Sequence, residues 1–147
     1  DHAGPRQRVR MKLFFDTSAF AKRYVTEGGT IRVLELCQQA DSIGLSVVCL
    51  PELISTLCRL ARERKLTQVQ YAQLKRDVLA DIADMDVCMV TASVLDHTIT
   101  ALEGAPLRAM DAIHIGCAVD YQPDVFVSAD HRQVSAAQSR GLRVEHV

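Results

Sequence analysis

Along the chain, short apolar runs of strand character alternate with longer segments in which apolar residues recur every three or four positions. The runs at residues 12–15, 42–45, 86–90, 124–127 and 142–146 read as strands, and the segments 17–25, 30–40, 47–64, 67–84, 92–103, 107–121 and 132–140 read as helices. The punctuation agrees with this division. Glu27-Gly28-Gly29 separates the first two helices, Thr67 and Gln70 form a capping box, Gly104-Ala105-Pro106 opens the sixth helix, and Gly141 stands at the C′ position of the last. Strands alternating with helices predict an α/β fold, a single domain with a parallel β-sheet of about five strands flanked by helices. No internal repeat or low-complexity tract divides it.

In such a sheet, ligands gather beyond the carboxyl ends of the strands. Two aspartates fall there: Asp16 directly follows Phe15, and Asp130 follows Val127 after the step Ser128-Ala129. Each also suits the N-cap of the helix that comes next. Asp111 differs from both. It lies in Leu107-Arg108-Ala109-Met110-Asp111-Ala112-Ile113-His114-Ile115, where apolar residues point in nearly every direction. A helix starting at Pro106 or Leu107 places Asp111 too deep to cap. There an ionised carboxylate costs several kcal/mol, by order of magnitude about 3, unless a cation or hydrogen bonds compensate. Arg108 and His114, each three residues away, are the structural partners to weigh against a metal. Glu52, after Pro51, lies one turn into an amphipathic helix whose wheel sets Leu50, Ile54, Leu57, Cys58 and Ala61 opposite it. A solvated first-turn glutamate explains it equally well when it is taken alone.

Together the four carboxylates converge on one rim of the sheet, and like charges so placed repel unless a cation sits between them. Oxygen donors suit a hard ion, Mg2+ or Mn2+, and the chemistry that follows is metal-assisted hydrolysis of a phosphodiester.

The charge of the chain sharpens this picture. Lys and Arg number 17 against 18 Asp and Glu, a net charge of −1. Residues 1–10, with three arginines and one aspartate ahead of Met11, are expected to be a cloning scar or disordered leader. Without them 14 basic and 17 acidic residues remain in the domain 11–147, a net charge of −3. A broad cationic platform for nucleic acid is thereby excluded, so any such contact is local. Five cysteines without a C-x-x-C pair argue against disulfides or a zinc knuckle and predict a reducing cytoplasm. No run approaches the ~18 apolar residues of a membrane helix.

The ordered set Phe14-Phe15-Asp16-Thr17-Ser18-Ala19, Pro51-Glu52-Leu53-Ile54, Leu107 to Ile115 and Phe126-Val127-Ser128-Ala129-Asp130 resembles the PIN-domain family. Within that family it is most similar to VapC-type toxins of type II toxin–antitoxin pairs. The resemblance extends over residues 11–147 and implies a Mg2+- or Mn2+-dependent endoribonuclease inhibited by a cognate antitoxin, usually as a homodimer. Asp16, Glu52, Asp111 and Asp130 match the family's acidic quartet, and Ser18 and Ser128 match positions where a hydroxyl orients a ligand or water. The resemblance makes Asp16 and Asp111 direct metal ligands. Asp130 is then a ligand or the holder of a metal-bound water, and Glu52 binds a second metal or acts as general base. Candidate RNA contacts are Arg59, Arg62 and Arg108, with Arg64 and Lys65 beside the first two. Lys22 and Arg23 are ambiguous, and His131 has no role that the resemblance supplies.

Two other readings compete. An aspartyl-phosphate phosphotransfer domain would also place an aspartate after the first strand, but the phosphatases of that type want a second aspartate where Ser18 stands. Both phosphotransfer types use a late lysine, whereas the last lysine here is Lys75. A non-catalytic PIN-like module would use the acidic pocket only to receive a basic peptide. G-x-G-x-x-G, G-x-x-x-x-G-K, G-x-S-x-G and H-E-x-x-H are all absent.

Overall fold

The computed structural model describes residues 10–147, so residues 1–9 of the expected leader lie outside the described residues. Five strands pair in parallel: β1 (Lys12–Phe15), β2 (Ser42–Ser46), β3 (Asp86–Cys88), β4 (Val125–Ser128) and β5 (Val144–His146). Their order across the sheet is β3-β2-β1-β4-β5. The helices are α1 (Thr17–Phe20), which runs into a 3-10 turn at Ala21–Arg23, then α2 (Thr30–Gln39), α3 (Cys49–Arg62), α4 (Gln68–Ala83), α5 (Ala92–Gly104), α6 (Ala109–Tyr121) and α7 (His131–Ser139).

Burial on both faces explains why the central strands read as unbroken apolar runs rather than alternating ones. Leu13 and Phe15 of β1 join Val33, Leu45, Leu53 and Leu57 on one face. Phe14, between them in sequence, points to the other face and packs with Ile115, Ala118 and Phe126. The register sets Phe15 beside Leu45 on one side and Val127 on the other. Chain progression runs outward from β1 through β2 and β3, then reverses across β1 to β4 and β5. A crevice opens at this reversal, outside the carboxyl ends of β1 and β4. Asp16 and Asp130 emerge there.

Several boundaries differ from the sequence expectation. The third strand stops at Cys88, because edge strand β3 pairs only with Gly44 to Ser46. Met89 and Val90 beyond it are exposed before Thr91 caps α5. The first helix is four residues followed by a 3-10 turn, not a continuous segment to Val25. The sixth helix starts at Ala109 instead of 107. Pro106 disfavours helical backbone at the residue before it, Ala105 is extended (φ −154°, ψ 151°), and the chain stays extended at Arg108 (φ −76°, ψ 156°). Asp111 therefore sits in the first turn of α6, and the expectation that it lies mid-helix is corrected. On α3 the fully buried stripe is Cys49, Leu53 and Leu57, with Leu50 and Ile54 at its margin. This turns the apolar face closer to Glu52 than the helical wheel placed it. The capping box at Thr67 is present with both reciprocal hydrogen bonds, and Gly141 takes φ 81° just beyond α7.

α6 carries Asp111, so whatever seats this helix also seats part of the crevice. Its Gly116 is pressed against α5: a Cβ there would meet the Thr98 side chain and stand 2.7 Å from the Val94 carbonyl oxygen. Gly116→Ala should separate the two helices and destabilise the domain by about 1–3 kcal/mol, as overpacking does. Thermal denaturation should show a melting temperature lower by roughly 2–4 °C for each kcal/mol.

Candidate active site

Asp16 is the most buried carboxylate of the quartet, 2% exposed. It caps α1 by accepting from the Ala19 N–H at 3.0 Å, and the Ser18 hydroxyl donates to the same Oδ1 at 2.7 Å. Oδ2 accepts from Ser128 Oγ at 2.6 Å. Burial pushes the Asp16 carboxyl above its ordinary range, and these hydrogen bonds oppose the shift. Ser128 links two acids, since its oxygen also accepts from the Asp130 N–H at 3.0 Å. Ser18 Oγ in turn accepts from the Ala129 N–H at 3.0 Å. Both serines singled out in the sequence therefore tie β1 to the end of β4 through Asp16.

Asp130 caps α7, with Oδ1 accepting from the N–H groups of Arg132 at 2.8 Å and Gln133 at 3.2 Å. Asp130 lines a cleft of about 500 Å3 together with Arg108, Asp111, Ala129, His131 and Arg132. Asp111 accepts no hydrogen bond among the described residues and forms no ion pair with Arg108 there. Its carboxyl is pushed up by burial first and then by the charge of Asp130; His114 opposes the shift, Glu52 adds to it and Arg108 opposes it least.

Neither structural partner weighed for Asp111 takes it. His114 bonds elsewhere: its Nε2 lies 2.5 Å from Glu52 Oε1 and 3.2 Å from Thr17 Oγ1, and the Thr17 hydroxyl donates to the same Glu52 oxygen at 2.7 Å. Burial would raise the Glu52 carboxyl, but these bonds from His114 and Thr17 outweigh it and hold the group below its ordinary value. Among the described residues, no three His, Cys, Asp or Glu side chains are grouped closely enough to share one ion. The reason is visible in the bonds: Asp16 is turned to its serines and Glu52 to His114.

The remaining candidates separate clearly. Arg108 lies at the acidic cleft. Arg62 lines a different cleft of about 330 Å3 with Cys58, Ala61, Gln68 and Tyr71, and Arg59 is exposed near the end of α3. Arg64 and Lys65 lie just past that helix, with Lys65 paired to Glu63 at 3.2 Å. Lys22 pairs with Glu27 at 3.5 Å and Arg23 with Asp81 at 3.0 Å, so both carry local structure. Sequence reasoning missed Arg132, Thr17 and the use of His114. The first was signalled only by following Asp130, and Thr17 only by following Asp16. His131 lines the acidic cleft, its ring edge-on to His146 at 4.3 Å between centroids.

The model of the PIN domain matches residues 13–138. This chain belongs to the PIN-domain family. A relative in Mycobacterium tuberculosis, ribonuclease VapC45, is 31% identical over 134 residues, covering 90% of this chain and 93% of the relative. Ribonuclease VapC49 of the same species matches to the same extent. Among solved structures, the DNA-bound VapBC of Salmonella typhimurium superposes with a TM-score of 0.67 at 18% identity, over 92% of this chain and 98% of that one. The M. tuberculosis toxin VapC20, described as cleaving the sarcin–ricin loop, superposes at 0.64 and 16% identity, over 84% and 94%. The PIN fold of this chain thus puts its acidic crevice at the switch point of a parallel sheet.

The raised carboxyl of Asp111 sets a pH dependence whose sign is fixed. A carboxyl with a higher pKa in the folded protein than in the unfolded chain penalises the fold when ionised. The penalty is full above the folded pKa and is relieved as pH falls toward the unfolded value. Asp111→Asn should therefore raise the melting temperature of the metal-free protein at neutral pH. The rise should be about 1–2 °C, because partial exposure screens the repulsion below about 1 kcal/mol. Denaturation in EDTA across pH 3–8 should show the gain vanish in acid.

Proposed function

We propose that the chain is a Mg2+- or Mn2+-dependent endoribonuclease and the toxin of a toxin–antitoxin pair. The observation that carries this reading is the pairing of Asp111 and Asp130 in one cleft, two carboxylates with no ion-pair partner among the described residues, beside Arg108 and Arg132. The relatives named as ribonucleases support the activity, and the VapBC assemblies among the structural neighbours support an antitoxin partner. A second copy of the chain completes the assembly in this reading. Its five cysteines are free, which suits a reducing cytoplasm, and no helix among the described residues is long and apolar enough to cross a membrane.

The donor set fits a hard cation. Asp111 keeps both oxygens and Asp130 keeps one, while Asp16 presents a carboxylate already held by two hydroxyls and an N–H. Asp16, Asp111 and Asp130 would hold the ion only once their side chains close on it, since no three such groups stand close enough to share one among the described residues. When bound, it supplies a water of lowered pKa and a positive centre for phosphate oxygens. Ser128 and Ser18 fix the orientation of Asp16, as outer-shell partners do for metal ligands. Asp130 is fixed by the N-terminal N–H groups of α7. Arg108 and Arg132 lie where flanking phosphates enter, and an arginine fork suits them. Glu52 offers its remaining oxygen, Oε2, to a second cation or to the proton of the attacking water.

Phosphoryl transfer to an aspartate is not favoured, because Ser18 stands where the phosphatases of that type want a second aspartate and the last lysine is Lys75. A pocket that only receives a basic peptide would use the same acids, and metal-dependent cleavage separates the two readings. Incubating a mixed RNA substrate with purified protein should give cleavage that requires Mg2+ or Mn2+ and stops in EDTA. Asp111→Asn should lower it by more than about 100-fold, the upper range for losing even an outer-shell partner of a metal. Cleavage that persists in EDTA or in this variant would sink the mechanism.

A further inference from the structure

Among the described residues, aromatic and imidazole rings are almost all withdrawn from solvent. The four phenylalanines and His114 are buried, and the three tyrosines and His97 are partly covered. Only His131 and His146 are exposed, and these two stand together, their ring centroids 4.3 Å apart and their planes at 70°. His131 opens α7 directly after Asp130 and lines the acidic cleft. His146 ends β5 opposite Ser128 in the sheet register, and its Nε2–H donates to the Ala129 carbonyl at 3.2 Å. The second ring is thus anchored to the step between Ser128 and Asp130, and the first is braced against it. In an edge-on pair each ring keeps at least one face free of the other.

We infer that His131, braced by His146, is the surface on which a nucleobase stacks when the neighbouring phosphate lies in the acidic cleft. This rests on the reading of the cleft as an RNA site and adds the contact that receives the base. A nucleotide brings both a charged phosphate and a flat π-face to any site that binds it. The guanidinium groups of Arg108 and Arg132 suit the phosphate. An unpaired base splayed from its strand instead stacks on a planar side chain, histidine among them. His131 is the one ring among the residues that line this cleft. Packing does not account for the pair: α7 and β5 are already held to the core by Ala136, Ala137, Leu142 and Val144, while both imidazoles face water. A ring braced by a second one has less rotamer freedom to lose when a base docks, so less of the stacking energy is lost in ordering it.

The test is the binding of fluorescein-labelled single-stranded RNA of random sequence to the full chain, beside an abasic ribose-phosphate oligomer of equal length, with Ca2+ and with EDTA. Wild type should bind the RNA more tightly than the abasic oligomer. His131→Ala should weaken RNA binding by at least about fivefold, the lower end of what losing one base–aromatic stack costs, and leave the abasic oligomer unaffected. His131→Phe, which keeps a ring and removes the imidazole nitrogens, should bind RNA like wild type, which separates stacking from any use of those nitrogens. His146→Ala should shift RNA binding in the same direction as His131→Ala by a smaller factor, again without effect on the abasic oligomer. A merely structural brace would not show that base dependence. Equal RNA binding by wild type and His131→Ala would overturn the inference. So would an equal loss on both oligomers, which assigns His131 to the phosphate, or a loss in His131→Phe as large as in His131→Ala. Absence of RNA binding by wild type in both conditions would overturn it as well. Cleavage decides the nuclease reading separately: base-dependent binding without Mg2+- or Mn2+-dependent cleavage would overturn that reading and leave the stacking contact standing.

Discussion

Burying an ionised aspartate at the end of a central strand is costly unless every lone pair finds a donor, and Asp16 is buried to 2% exposure. Its donors come from three places: the N-terminus of α1, Ser18 on that helix, and Ser128 on β4. Satisfying this one carboxylate therefore locks β1, α1 and β4 into a single arrangement. The Asp16 N–H continues the β1–β4 ladder by donating to the Val127 carbonyl at 3.1 Å. The same serine that satisfies Asp16 accepts from the Asp130 backbone, so the second strand-end acid is placed by the first. Much of the crevice follows from this constraint.

The other half of the site depends on α6. Close contact at Gly116 seats this helix against α5, and its buried face runs through Ala112, Ile115 and Ala118. Asp111 projects from its first turn into the cleft, while His114 is turned inward to Glu52. Charges of one sign are thus held apart by different means. Asp16 is satisfied by hydrogen bonds and Glu52 by a histidine and a threonine. Asp111 and Asp130 are left facing each other across the cleft that the arginines border. In the proposed reading, a chain of net charge −1 meets a phosphate there through a cation between the carboxylates and a few basic groups at the rim.

The parallel α/β architecture and the two strand-end aspartates were legible because β1 and β4 are buried on both faces and read as compact apolar runs. Asp16 and Asp130 both cap helices, as their residue type suggested, and their capping leaves them at the crevice. The depth of Asp111 was misread because apolar periodicity continues upstream to Leu107, whereas Ala105, before Pro106, and Arg108 are both extended and the helix starts only at Ala109. The bond between His114 and Glu52 was illegible for a different reason. Nothing local marks a pairing across 62 residues, and His114 lies in an apolar stretch where an ordinary core histidine would look the same. Arg132 gave no signal beyond adjacency to Asp130, and the clefts that separate Arg108 from Arg62 exist only once α3 and α6 are placed in space.

The central claim is that Asp16, Asp111 and Asp130 are the donors of one cation in the crevice beyond β1 and β4. Anomalous scattering from crystals grown with Mn2+ tests it most directly. The account predicts a single strong peak in the cleft within ligand distance of these three carboxylates, with Glu52 still bonded to His114. A peak bound by Glu52 without Asp111, or no ordered Mn2+ in the cleft at saturating concentration, would contradict it.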